Sequence, residues 1–109
     1  MPHQLLTIEV SRPDAGHVRL RLTGELDYDT APELVAAAAG LHGEPQVTID
    51  LSGVGLCDSS GLSALLIARR SVGAIRLTGV SPQIQQLLDR TGLTELLAVQ
   101  GDDELRATG

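Results

Sequence analysis

Lysine is absent from this chain, and all eight basic residues are arginines. That removes every mechanism requiring a Schiff base, a Walker-type lysine or a lysine on a phosphoryl group. Phenylalanine and tryptophan are missing too, leaving Tyr28 as the single aromatic residue. Base stacking on an aromatic platform is thereby excluded, and the core must be built from leucine, valine, isoleucine and alanine. One cysteine, Cys57, allows neither an internal disulfide nor a multi-cysteine zinc site. No apolar run approaches the ~20 residues that span a bilayer. Met1-Pro2-His3-Gln4 carries neither the basic patch nor the apolar block of a signal peptide. The expectation is a soluble, cytoplasmic protein without a membrane partner. Eight bases against fourteen acids give a net charge of −6, which does not suit a nucleic-acid backbone.

What is present supports a folded core. A chain of 109 residues, 42% hydrophobic and 20% charged, fits one compact domain. Leu5 to Val10 alternates, with Leu6, Ile8 and Val10 on one face. Val18, Leu20 and Leu22 alternate against Arg19 and Arg21. The turn-rich Ser11-Arg12-Pro13-Asp14-Ala15-Gly16 between them predicts an opening antiparallel hairpin.

The period then changes. Thr30-Ala31-Pro32-Glu33 has capping-box spacing with proline in the first turn. Leu34, Val35, Ala38 and Leu41 carry a helix from about Ala31 to Gly40. Val47, Ile49 and Leu51 predict a third strand ending at Asp50-Leu51-Ser52-Gly53. A second helix follows a loop and starts within two residues of Ser60. Its Leu62, Leu65 and Leu66 should face the sheet, with Arg69 and Arg70 exposed near its C-terminus, where they suit the dipole. Ile75 and Leu77 make a short strand. Ser81-Pro82 opens a third helix through Ile84, Leu87 and Leu88 to a stop at Gly92. Leu96 to Val99 reads as a last strand, and Asp102-Asp103-Glu104 starts a short terminal helix. The fold class is α/β: a mixed β-sheet, an opening hairpin followed by β-α units, with helices packed on the sheet.

The stretch from Asp50 to Leu62 joins strand to helix, where α/β proteins usually keep their sites. Gly53 and Gly55 begin a dinucleotide fingerprint, but Asp58 stands where its third glycine belongs and would repel a pyrophosphate. No glycine pair flanks Ser59 or Ser60 as a nucleophile elbow requires. His3, His17 and His42 fall on strand edges or loops and read as solvent-exposed, which argues against a Ser-His-Asp hydrolase. Asp50 ends a strand as a receiver aspartate does, yet neither the lysine nor an acidic pair after the first strand is there. What remains is Asp58 with two serines at a helix start. One of Asp58 and Ser59 caps the helix, or a serine there is a phosphorylation acceptor. Cys57 reads as a small buried hydrophobe.

Leu22-Thr23-Gly24-Glu25-Leu26-Asp27, Asp58-Ser59-Ser60-Gly61-Leu62, Ser81-Pro82 and Thr91-Gly92-Leu93 occur in the order and content of the STAS domain family. Within it the chain most resembles the bacterial anti-sigma-factor antagonists, over about Leu5 to Leu105, which implies that residues 1–109 are a single such domain with its core at about 5–105. The resemblance implies partner switching in transcription and the stress response. The dephosphorylated antagonist binds an anti-sigma factor, often a serine kinase, and frees the sigma factor. Phosphorylation of the serine after the motif aspartate, here Ser59 with Ser60 as runner-up, releases it, and a serine phosphatase restores it. Asp58, Gly61, Leu62, Glu25 and Asp27 would contact the partner. On this resemblance the kinase would supply ATP and magnesium, so the chain would need no cofactor or metal, have no catalytic residue and be no enzyme. Glu25, Asp27 and Asp29 form either an acidic rim around Ser59 or a solvated loop. Other members of the family are scaffold subunits in signalling or lipid-transport assemblies, or domains of anion transporters.

Overall fold

The computed structural model describes residues 6–72 and 75–93. The strand expected at Leu96 to Val99, the helix expected from Asp102, and His3 lie outside the described residues. The elements run β1 (Leu6–Asp14), β2 (His17–Leu26), α1 (Ala31–Ala39), β3 (Gln46–Cys57), α2 (Ser59–Val72), β4 (Ile75–Thr78) and α3 (Pro82–Thr91). The four strands lie in chain order, β1 antiparallel to β2 and the other pairs parallel. The mixed sheet and its β-α units are those the alternation predicts. Gly16, at φ 76°, turns the hairpin in a conformation that disfavours any residue with a β-carbon.

One sheet face is apolar. Leu20, Leu22, Ile49, Leu51 and Leu77 are fully buried there, with Leu34 of α1, Leu65 of α2 and Ile84 and Leu88 of α3. At ~1.5–3 kcal/mol for each large apolar side chain removed from water, this leucine-rich layer is the main source of stability. The opposite face carries Thr7, Glu9, Arg19, Arg21 and Arg76, all exposed.

Several expectations are corrected. Strand β1 runs on to Asp14 through an irregular register beyond Ser11. Val10 is 57% exposed although it alternates with Leu6 and Ile8, because no described helix makes more than marginal contact with this edge strand. Strand β3 does not stop near Ser52 but continues to Cys57, leaving no loop before α2 beyond Asp58. Its extra residues pair with Thr23 to Leu26 of β2 across two register shifts, which a strict two-residue period cannot reveal. A β-carbon on Gly53 would stand 2.9 Å from both the Leu22 carbonyl oxygen and the Thr23 hydroxyl, so glycine permits that pairing. Leu62 and Leu65 are buried as expected, whereas Leu66 is half-buried at the margin of the core. Arg69 is half-buried and Arg70 exposed. His17 is not solvent-exposed: its side chain is 20% accessible, and its Nε2 lies 2.7 Å from the Thr48 hydroxyl of β3.

Candidate functional site

The ends of the two central strands, β2 and β3, meet the starts of α1 and α2 at one end of the sheet. Glu25 is in register with Leu56, and Leu26 with Cys57. The Asp58 amide then donates to the Leu26 carbonyl, 3.3 Å away, so the chain turns into α2 directly off β2. Asp58 is the cap: its Oδ1 accepts from the Gly61 amide at 3.0 Å, and its carbonyl receives the Leu62 amide at 3.0 Å. Ser59 is therefore the first helical residue, and its cap duty falls to its neighbour. The Ser59 side chain is exposed, and its hydroxyl bonds to no other described residue.

Gly61 brings α2 against the ends of β2 and β3. A β-carbon there would collide with the Leu26 carbonyl oxygen and sit 2.8 Å from Leu26 Cγ and 3.0 Å from Cys57 Sγ. Leu62 is buried immediately behind it. Gly61 and Leu62 thus set the depth at which the serine-bearing turn packs.

The two serines face different grooves. Ser59 lines one with Leu56, Asp58, Gln86, Leu87 and Arg90 of α3. Ser60, about 100° further round the helix, lines an apolar one between α1 and α2 with Tyr28, Val35 and Ile67. Tyr28 is 78% exposed at the rim of that second groove.

The β2–α1 loop is built differently from its sequence pattern. Thr30 makes no side-chain cap bond in α1, contrary to the capping-box spacing. Its buried hydroxyl instead donates to the Glu25 carbonyl at 2.8 Å and accepts from the Asp27 amide at 2.9 Å. Asp27 Oδ1 in turn accepts from the amides of Asp29, at 3.0 Å, and Thr30, at 3.2 Å. One carboxylate oxygen of Asp27 therefore shapes the loop, while Glu25 and Asp29 project into solvent.

Burial pushes the Cys57 thiol up to about 11, helped by the Asp58 charge, so it stays protonated and inert at neutral pH. At Asp50, partial burial favours the neutral form but is outweighed by the Ser52 hydrogen bonds and the Arg21 charge, leaving the carboxyl below its ordinary value. The described residues contain no cluster of three or more metal-ligating side chains. Nor do they contain a helix long and apolar enough to cross a membrane.

Sequence reasoning missed Gln83 and Arg90. Gln83 Nε2 donates to the Cys57 carbonyl at 2.9 Å, and its Oε1 accepts from the Cys57 amide at 3.4 Å. Their spacing along α3, Gln83, Leu87, Arg90, marks one helix face, but no sequence signal says which neighbour that face meets.

The family described as "Mlab, STAS domain" matches residues 10–98. The anti-sigma-B factor antagonist of Listeria monocytogenes is 28% identical over 101 residues, covering 87% of this chain and 89% of its own. That of Staphylococcus epidermidis is 32% identical over 92 residues, covering 79% and 85%. The crystal structure of an anti-sigma factor antagonist from Mycobacterium paratuberculosis matches with a TM-score of 0.78 and 28% identity, over 94% of this chain and 92% of that one.

Proposed function

Because this chain belongs to the STAS domain family, we propose that it is an anti-sigma factor antagonist switched by phosphorylation of Ser59. Dephosphorylated, it binds an anti-sigma factor that is also a serine kinase, and the sigma factor goes free in the cytoplasm. The relatives named as antagonists support this reading. The observation that carries it is the Ser59 hydroxyl, exposed and unbonded on the first turn of a helix that Asp58 already caps. An acceptor must be reachable and free to give up its proton, and Ser59 is both. Ser60 is half-buried against the apolar groove.

The chain contributes the acceptor and the docking surface and performs no chemistry of its own. Ser59 Oγ forms a bond to the γ-phosphorus of the kinase's ATP, ADP leaves with the bridging oxygen, and the hydroxyl proton passes to a base on the kinase. A serine phosphatase reverses the modification by hydrolysis. The phosphoryl group adds about −1.5 to −2 charges beside Asp58. A loss of ~3 kcal/mol in the interface weakens binding more than a hundredfold, enough to exchange partners.

The test uses the kinase that co-purifies with Ser59→Ala, the form held in the binding state. That kinase and ATP should add one phosphoryl group to the wild type, mapped by mass to Ser59. Ser60→Ala should be modified as readily. Titrations should show Ser59→Ala binding like the wild type and Ser59→Asp binding weakly. Equal affinities for all three would leave a constitutive scaffold subunit instead.

A further inference from the structure

We propose that Arg90 of α3 receives the phosphoryl group once Ser59 carries it, closing the groove between α3 and the start of α2. The inference rests on Ser59 as the acceptor and concerns what this chain does with the phosphate afterwards. Arg90 is the single cation among the residues lining that groove. It is exposed, and no described carboxylate lies within ion-pair distance of it. Its place is not accidental to α3's own packing. Ile84 and Leu88 are buried in the core, and Gln83 is bonded to Cys57, the residue before Asp58. These anchors turn the face bearing Gln83, Leu87 and Arg90 toward the serine.

A phosphate on Ser59 meets a local charge problem. Asp58 is adjacent, its Oδ1 already holds the Gly61 amide, and Glu25, near the end of β2, lies in register with Leu56 of the same groove. Gln83 and Gln86 across the groove are neutral. The amides of the α2 start attract an anion, and a cation facing it favours the second negative charge further. The other described arginines are elsewhere. Arg12 is tied to Glu44 at 2.7 Å, and Arg19, Arg21 and Arg76 lie on the outer sheet face. Arg69 and Arg70 sit about 15 Å down α2. Guanidinium and phosphate match in a two-pronged, charge-assisted hydrogen bond. Bridging the groove in this way covers Leu56 and Leu87, so the phosphorylated protein presents a different surface as well as a more negative one.

The experiment installs phosphoserine at position 59 of the full chain by genetic encoding and follows its ³¹P shift against pH at low salt. A neighbouring guanidinium favours the dianion and holds the second phosphate ionisation below its usual value of about 6. Arg90→Ala should raise that ionisation by roughly half a unit, and Arg90→Lys should recover part of the difference. Arg19→Ala makes the same charge change on the outer sheet face and should leave it unmoved. Arg90 is an exposed helical residue, so alanine there keeps the fold. An Arg90→Ala titration that superimposes on the wild type, or shifts only as far as Arg19→Ala, overturns the proposal. Because encoding bypasses the kinase, a failure of kinase labelling would count against Ser59 as acceptor and not against Arg90.

Discussion

The Gln83 side-chain amide pairs with both backbone groups of Cys57, donating to its carbonyl at 2.9 Å and accepting from its amide at 3.4 Å. It serves β3 where β4, which reaches only Thr78, gives no partner. Through it the first turn of α3 holds the strand end from which Asp58 and Ser59 emerge. Gln83→Ala should cost about 1–2 kcal/mol in urea unfolding, since the Cys57 groups lose a partner at a part-buried position. Amide exchange at Cys57 and Asp58 should quicken more than elsewhere. Unchanged exchange there would show that the pairing does not hold the strand end.

Capping at α2 separates the two residues that sequence left as alternatives. Asp58→Ala removes the acceptor for the Gly61 amide and should cost about 0.5–2 kcal/mol. Ser59→Ala removes an exposed, unbonded hydroxyl and should stay within about 0.5 kcal/mol of the wild type. Chemical denaturation of both variants checks the order, and a larger loss at Ser59 would reverse the assignment of the cap.

Leu65 is fully buried between α2 and the sheet. Leu65→Ala should lose about 2–5 kcal/mol, the transfer cost of the missing carbons plus the cavity they leave. Leu66→Ala, at a half-buried site, should lose less than half as much. Equal losses in thermal or urea unfolding would contradict the placement of the two leucines.

Asp50 makes acid stability testable. Its carboxyl titrates below the ordinary 3.8 in the folded protein, through the Ser52 and Arg21 contacts that outweigh its partial burial. A depressed carboxyl contributes stability that is complete above 3.8 and is lost as pH falls through the lower folded value. Asp50→Asn should therefore be less stable than the wild type at pH 7, with the gap narrowing at pH 3. Urea midpoints at the two pH values measure it; a gap that stays constant would mean that Asp50 ionisation is not linked to folding.

Local features were decided by the sequence alone. The Ser81 hydroxyl accepts from the Ile84 amide at 3.2 Å, and Gly92 stops α3 at φ 74°, as Ser81-Pro82 and Thr91-Gly92 predict. The helices start where their proline and capping residues stand, and the strand alternation identifies the buried leucines. Each of these arrangements is settled by partners within one turn, or by a periodicity that runs along the element itself. Asp58-Ser59-Ser60-Gly61 was likewise recognisable as a helix start.

Only the tertiary structure could decide the rest, because the partners are far apart in the chain. His17 meets Thr48, Arg12 meets Glu44, and Gln83 meets Cys57, each across more than twenty-five positions. Even over five positions, the Thr30 hydroxyl was diverted from a local cap to the Glu25 carbonyl at 2.8 Å, because the loop off the end of β2 brings the two together. Val10 has the alternation of a core residue and remains exposed, since alternation defines a face but not what covers it. The same reason separates Ser59 from Ser60: helix geometry turns them apart, but the packing of α1 and α3 determines that one meets an arginine-bearing groove and the other an apolar one.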